Sequence, residues 1–298
     1  MNKQKWYSWA LALLVVVAVG YMIARNFGEL RKYDFDFRWG FIILALLSEV
    51  SAYLSKLVIW QHLSRSYGLK VPLIKAGKGF FLSQLGRYIP GKVGLLLIRM
   101  ETYREYSRKN TAIATGVEMI STIGGACILV LIGIIAAGEY LPSYSIWVAL
   151  IGFAAVLIFL WPGIFKPLAN FGFRLIKRSP MEEVPPYSVT LKYVAVYLFP
   201  GLLHGLGLFM VLCSLSPISF AFYLPITSIY FAAGIVGLLA VFVPAGLGVR
   251  EGVMMLVLPL IVDKPIVIVG VILSRMVLTL SEISLAGIFT VLDKFNSK

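Results

Sequence analysis

The sequence predicts an all-α membrane protein, a polytopic bundle of transmembrane helices that occupies the whole chain. Hydrophobic residues make up 59% of the 298 positions and charged residues only 14%, and the mean hydropathy is +0.88. Soluble globular domains have a far more polar balance. Apolar stretches of about twenty residues, the length that crosses a bilayer, recur along the entire chain. We therefore expect one membrane domain over residues 1–298 and no separate soluble enzyme.

Six apolar stretches with charged flanks predict complete membrane crossings. In chain order they cover about 6–25, 39–62, 111–137, 144–162, 190–213 and 265–291. The first stretch has an alternative interpretation as a cleaved signal peptide, because the small residues Ala18 and Gly20 precede a potential cleavage point. Its length favours a retained helix.

Two further apolar stretches, about 76–100 and 223–262, are interrupted by proline and glycine. The interrupting residues are Pro90, Gly91 and Gly94 in the first stretch and Pro244, Gly246 and Gly248 in the second. Proline removes a helix hydrogen bond, and the freed backbone groups survive in lipid only beside protein or a water-filled cavity. These stretches are predicted to be broken or re-entrant helices that face a functional cavity. For 223–262, two complete crossings remain an alternative, because each limb is nearly long enough.

The basic residues predict the orientation. The chain carries 27 Lys and Arg against 14 Asp and Glu, and most of the basic residues fall on one side of the predicted map. The clusters are Lys3 with Lys5, 65–78, 99–109, 166–192, and Lys294 with Lys298. By the positive-inside rule this side is cytoplasmic, with both termini. The net charge of +13 is therefore interpreted as a topology signal and not as a nucleic-acid surface.

An internal repeat is predicted from the same pattern. Units of about 39–137 and 190–291 each contain a Pro/Gly break followed by a basic residue, Arg99 in the first and Arg250 in the second. In the charge-derived map the first break enters from the cytoplasm and the second from outside. This is the relation expected of inverted-topology repeats in transporters.

Basic residues near the breaks are the predicted binding site for a lipid phosphate. They are Arg87, Lys92, Arg250 and Arg275. A broken helix has a new N-terminus, where unpaired N–H groups favour an anion, and charge within the membrane usually faces a cavity or a partner. The Pro/Gly residues of the two breaks would supply the backbone nest. The structural alternative is that these cations extend to the interface or pair with acids.

Acidic residues predict an internal charge network. Its members are Glu118, Glu251 and Glu282, and Arg275 lies seven residues before Glu282 on the same helix face. Glu49 and Lys56 have the same spacing and are predicted to be a structural pair.

No catalytic residues, cofactor or metal site is predicted. His62 and His204 are isolated from any ligand spacing, and nucleophile and nucleotide-binding motifs are absent from the sequence.

Two motifs resemble those of the lysylphosphatidylglycerol synthase transmembrane family, whose members are often called flippase-like. They are the run from Gly86 to Gly94, GRYIPGKVG, and the run from Pro244 to Gly252, PAGLGVREG. The resemblance implies a helical bundle that moves lipids or lipid-linked groups between leaflets. Members that synthesise aminoacyl-phosphatidylglycerol carry a soluble catalytic domain after the membrane part, and this chain stops at Lys298, so we expect no synthase activity.

The resulting expectation is a lipid transporter of the cell membrane. Its substrate would be an anionic phospholipid or a polyprenyl-phosphate-linked lipid, and nucleic acid is not an expected partner. The alternative is an accessory membrane subunit that supports a glycosyltransferase or a lipid-modifying enzyme and transports nothing itself.

Overall fold

The computed structural model describes residues 37–88, 94–140, 144–161, 163–164, 166–167, 170, 187–240, 246 and 248–296. Within these residues the chain is helical and has no strand. The helices are α1 (Trp39–Ser66), α2 (Leu73–Leu85), α3 (Gly94–Thr102), α4 (Arg108–Ala137), α5 (Tyr144–Leu160), α6 (Tyr187–Val196), α7 (Leu198–Cys213), α8 (Tyr223–Leu239), α9 (Val249–Val257) and α10 (Lys264–Asn296). Short 3-10 turns cover Gly86–Tyr88, Gly138–Tyr140, Phe220–Phe222 and Leu258–Leu260. The predicted helical bundle is confirmed for this part of the chain.

Five helical segments among the described residues are long and apolar enough to cross a membrane. They are Trp39–Ser66, Arg108–Ala137, Ser188–Cys213, Phe220–Leu239 and Lys264–Asn296. Four of them match predicted stretches, and the fifth is the first limb of 223–262. The third is interrupted at Tyr197, because Pro200 has no N–H to donate to the preceding turn.

Two of the six predicted crossings are not among these five segments. The 144–162 stretch forms a helix of only 17 residues, α5, which ends at Leu160. Pro162 follows closely in the sequence, and a proline disfavours helical geometry in the residue before it. The 6–25 stretch lies outside the described residues.

Contacts between helix termini define the two ends of the bundle. The Arg38 N–H donates to the Ser214 carbonyl at 2.8 Å, so the start of α1 lies beside the end of α7. At the opposite end, Lys78 Nζ lies 2.8 Å from Asp293 Oδ2 and joins the first half of α2 to the last turn of α10. We call these the Arg38 end and the Lys78 end.

Helices α2 and α3 form an antiparallel hairpin, the first hairpin, that opens at the Lys78 end. The Tyr103 hydroxyl, just after α3, donates to the Ala76 carbonyl near the start of α2 at 2.6 Å. At the closed tip, Gly86 packs so tightly that a Cβ there would lie 2.7 Å from the Gly94 carbonyl oxygen. The helices have 13 and 9 residues, about 20 and 14 Å at 1.5 Å per residue, and neither reaches across a 30 Å hydrocarbon core.

Helices α8 and α9 form the second hairpin, which opens at the Arg38 end. The Phe220 ring, just before α8, lies 5.7 Å from the ring of Phe209 in α7. At the tip, a Cβ on Gly246 would lie 2.8 Å from the Gly237 Cα, and Gly246 has a φ of +63° that also favours glycine. Helix α9 has 9 residues, about 14 Å, which is less than half of the 30 Å hydrocarbon core.

Small residues let α4 and α8 approach closely, as is common between membrane helices. At Gly133 of α4, a Cβ would lie 2.3 Å from the Leu224 carbonyl oxygen. We expect Gly133→Ala to lower the melting temperature of the purified protein, because the backbone of α8 must move, at a cost of about 1–3 kcal/mol. Gly116→Ala is the matched control on the same helix, since its Cβ would meet nothing within 4 Å. Equal melting temperatures for the two variants would contradict this packing.

Candidate functional site

A cavity of about 310 Å³ lies between the tips of the two hairpins. The first hairpin contributes Arg87 and Leu95 to its wall, and the second contributes Gly237, Gly246 and Arg250. Side chains of α1, α2 and α4 complete the polar part, and apolar residues of α4 and α8 form the remainder. These further lining residues include Lys56, Gln84, Glu118, Met119, Thr122, Ile123, Phe231, Ile235 and Leu238. The cavity therefore brings residues that flank the two sequence-predicted breaks to one place.

Arg87 is held by an acid on α10. Its Nη2 donates to Glu282 Oε1, and the Tyr53 hydroxyl of α1 donates to the same oxygen. The Glu282 side chain is fully buried, whereas that of Arg87 is 30% exposed. Arg87 thus contributes charge to the cavity while its ion pair fixes the first hairpin against α1 and α10.

Arg99 forms the most enclosed ion pair of the first hairpin. Its side chain is fully buried, its Nη1 donates to Glu118 of α4, and its Nε donates to Ser83 Oγ at 3.1 Å. The guanidinium also lies 4.1 Å from the centre of the Trp60 ring, a cation–π contact with α1. This residue connects four helices. The sequence showed Arg99 only as the basic residue after the first break, without this role.

The Glu251 side chain caps the N-terminus of α9. Its Oε2 accepts the Gly248 N–H at 2.7 Å, and its Oε1 lies 3.6 Å from Arg275 Nη1. A carboxylate here is favourable because the first N–H groups of a helix have no intrahelical partner. The Gly248 donor of the predicted nest is consequently occupied by the chain itself.

Two cations of the cavity differ from these ion-paired residues. Lys56 and Arg250 both line it, and within the described residues no carboxylate lies within 4.0 Å of either charged group. Arg250 is instead placed with its guanidinium 4.0 Å from the centre of the Tyr230 ring, and its Nε has no hydrogen-bond partner. Lys56 Nζ lies 5.8 Å from the Tyr53 ring centre. Cations that line a cavity without a nearby carboxylate can stabilise a bound anion.

The structure brings together part of the predicted site. Arg87, Arg250, Glu118 and Gly246 line one cavity. Arg275 pairs with Glu251, and Gly94 packs at the tip of the first hairpin. Four further predicted residues, Pro90, Gly91, Lys92 and Pro244, lie outside the described residues.

Lys56 is the cavity residue that the sequence interpretation misplaced. The predicted Glu49–Lys56 pair is wrong, because Glu49 Oε2 lies 2.7 Å from Nδ1 of His204, a residue expected to be isolated. The available signal was a lone lysine in the middle of a 28-residue apolar helix, which by itself marks a functional candidate.

Comparison with known proteins identifies the family. The family model of the lysylphosphatidylglycerol synthase TM region matches residues 9–285. No curated protein matches the chain significantly. The family match covers both hairpins and all the helices that line the cavity. The chain therefore belongs to the lysylphosphatidylglycerol synthase transmembrane-region family.

Proposed function

We propose that this multi-pass membrane protein is a lipid transporter, which moves an anionic phospholipid or a polyprenyl-phosphate-linked lipid between the leaflets of the cell membrane. One observation carries the proposal: Lys56 and Arg250 face a cavity between two hairpin tips and have no carboxylate partner among the described residues. A phosphate group would supply the missing negative charge. Family membership supports a role connected with lipids.

The shape of the cavity supports a lipid substrate. Met119 of α4 and Leu238 of α8 line it and are 38% and 39% exposed, so the cavity wall continues onto the outer surface of the bundle. Phe231 and Ile235 extend the apolar part of the wall. In a bilayer this surface faces hydrocarbon, so a head group at the two cations and chains between α4 and α8 would each meet a matching environment.

The two hairpins support an alternating-access mechanism. They open at opposite ends of the bundle, and both tips reach the same cavity. We propose that they are re-entrant elements of an inverted repeat and that their relative movement exposes the cavity to one side at a time. Neither the movement of the hairpins nor the exposure of the cavity requires the chain to catalyse a chemical reaction.

The distribution of basic residues predicts on which side of the membrane each connecting segment lies. Among the described residues, the basic clusters 65–78 and 99–109 and Lys294 lie at the Lys78 end, which we assign to the cytoplasm. Reporter fusions after Lys109, near Ser179 and at Lys298 are expected to report a cytoplasmic location, and a fusion near Ser216 an external one. An external signal near Ser179 would contradict the assignment.

Leaflet transfer by the purified protein tests the proposed function. The chain is reconstituted alone into vesicles that contain a fluorescent phosphatidylglycerol, and a membrane-impermeant quencher reports the lipid of the outer leaflet. Transfer well above that of protein-free vesicles is expected. A folded chain that transfers neither this lipid nor a polyprenyl phosphate without a partner enzyme would favour the accessory-subunit alternative.

A further inference from the structure

A buried acid–histidine pair lies beside the cavity and has no role in the ion pairs already described. Glu49 of α1 and His204 of α7 are 3% and 7% exposed, and Glu49 Oε2 lies 2.7 Å from His204 Nδ1. A carboxylate and an imidazole in direct contact can bind a proton on a ring nitrogen or a carboxylate oxygen and release it again, with the bonding electron pair left on that atom. The pair is therefore a candidate proton-binding site within the membrane.

Aromatic rings connect this pair to both arginines of the cavity. The Tyr230 ring is nearly parallel to the His204 ring, with 6.5 Å between their centres, and also contacts the Arg250 guanidinium. The Tyr53 ring contacts His204 at 5.1 Å, and its hydroxyl donates to Glu282, the partner of Arg87. In a site with little water, charges are weakly screened, so a change in the net charge at Arg250 affects the pair across the Tyr230 ring alone.

The charges that face His204 come from three helices. Helix α1 presents Glu49 and Lys56, α9 presents Arg250 behind Tyr230, and α10 presents Glu282 behind Tyr53. Glu282 is matched by Arg87, whereas Lys56 and Arg250 have no carboxylate partner among the residues that the structure describes. The net charge that surrounds the pair is therefore positive.

We propose that the Glu49–His204 pair binds one proton when one phosphodiester anion enters the cavity, so that transport of the lipid is coupled to a proton. This proposal rests on the proposed function and adds its coupling ion. In the empty site, Lys56, Arg250 and the singly negative pair sum to one positive charge. With the anion and the proton both bound, the sum is again one positive charge. The total charge of the site is then the same in both states. The bound anion offsets part of the positive charge of Lys56 and Arg250 that opposes a proton on the pair, so the binding of the anion and the binding of the proton favour each other.

Calorimetric titration of the purified protein with dihexanoyl phosphatidylglycerol tests the coupling. A phosphodiester has no proton of its own to exchange near neutral pH, unlike a phosphate monoester. The binding heat is measured at about pH 7 in buffers with different ionisation enthalpies, because its slope against that enthalpy counts the protons taken up. We expect an uptake of about one proton per anion for the unmodified chain.

Variants of the Glu49–His204 pair and of the chain's other histidine supply the matched comparison. His204→Asn and Glu49→Gln are expected to bind the anion with proton uptake close to zero. His62→Asn replaces the chain's other histidine, which is exposed at the end of α1, and should keep the full uptake.

The outcomes separate the coupling from the proposed function. Anion binding without proton uptake in the unmodified chain would overturn the coupling and leave the transporter in place, whether or not the variants fold. Uptake that persists in a folded His204→Asn or Glu49→Gln protein would also overturn it, because the proton would then bind elsewhere. If native mass spectrometry shows that the folded, unmodified chain does not bind this lipid, the coupling is overturned, and the leaflet-transfer assay then decides the proposed function separately.

Discussion

Arg250→Ala is expected to weaken the binding of phosphatidylglycerol to the purified protein by about tenfold or more. Arg250 faces the cavity without a carboxylate partner in the described part of the chain, and a charge-assisted hydrogen bond to phosphate contributes roughly 1.5–3 kcal/mol. The sequence predicts the same loss for Lys92→Ala. Native mass spectrometry or the calorimetric titration measures both affinities.

The controls for Arg250 separate binding from stability. Arg250→Lys keeps the charge but loses the planar fork, so an intermediate loss would indicate bidentate recognition of phosphate. If Arg250 only neutralised an acid, Arg250→Ala would strand that acid and lower the melting temperature. Glu118, Glu251 and Glu282 each contact a different arginine, so we expect the melting temperature to be maintained. Unchanged binding by a folded Arg250→Ala protein would remove this residue from the site.

Glu118→Gln is expected to produce the largest loss of stability. The substitution leaves the fully buried Arg99 guanidinium without its counter-charge, and breaking a buried ion pair in this way costs about 3–5 kcal/mol. Thermal unfolding in detergent should show a large decrease in melting temperature.

A second ion pair between α3 and α4 is the matched control. Glu101 and Arg108 lie 3.9 Å apart with side chains 68% and 52% exposed, so Glu101→Gln should change the melting temperature little. The double variant Arg99→Met/Glu118→Leu removes both buried charges and is expected to recover most of the loss. Similar melting temperatures for Glu118→Gln and Glu101→Gln would contradict the structural role of the Arg99–Glu118 pair.

The helices and the two breaks could be predicted because their signals are local. The apolar run 111–137 corresponds to α4, and the hydrogen-bond chemistry of proline and glycine marked both interruptions. The boundaries are less exact, since α1 continues as a regular helix to Ser66, beyond the predicted apolar stretch. Hydropathy reports where a chain leaves hydrocarbon and not where its helix ends.

The side-chain partners could not be predicted, because they depend on how helices pack. A spacing of seven places Glu49 and Lys56 on one helix face, but about 10.5 Å apart along the axis, too far for a direct ion pair. Glu49 instead contacts His204 on α7. Arg275 and Glu282 have the same spacing, and their observed partners are Glu251 on α9 and Arg87 in the first hairpin.

Photo-crosslinking of a phosphatidylglycerol with a diazirine on its head group tests the central claim most directly, namely that the head group binds between the two hairpin tips. The lipid is activated in vesicles that contain the purified chain, and the modified peptides are mapped by mass spectrometry. We predict crosslinks to cavity residues such as Thr122 of α4 and Phe231 of α8, which decrease in the double variant Lys56→Gln/Arg250→Gln. Crosslinks confined to exposed faces such as that of Ile151 on α5, and equally strong in the variant, would contradict the claim.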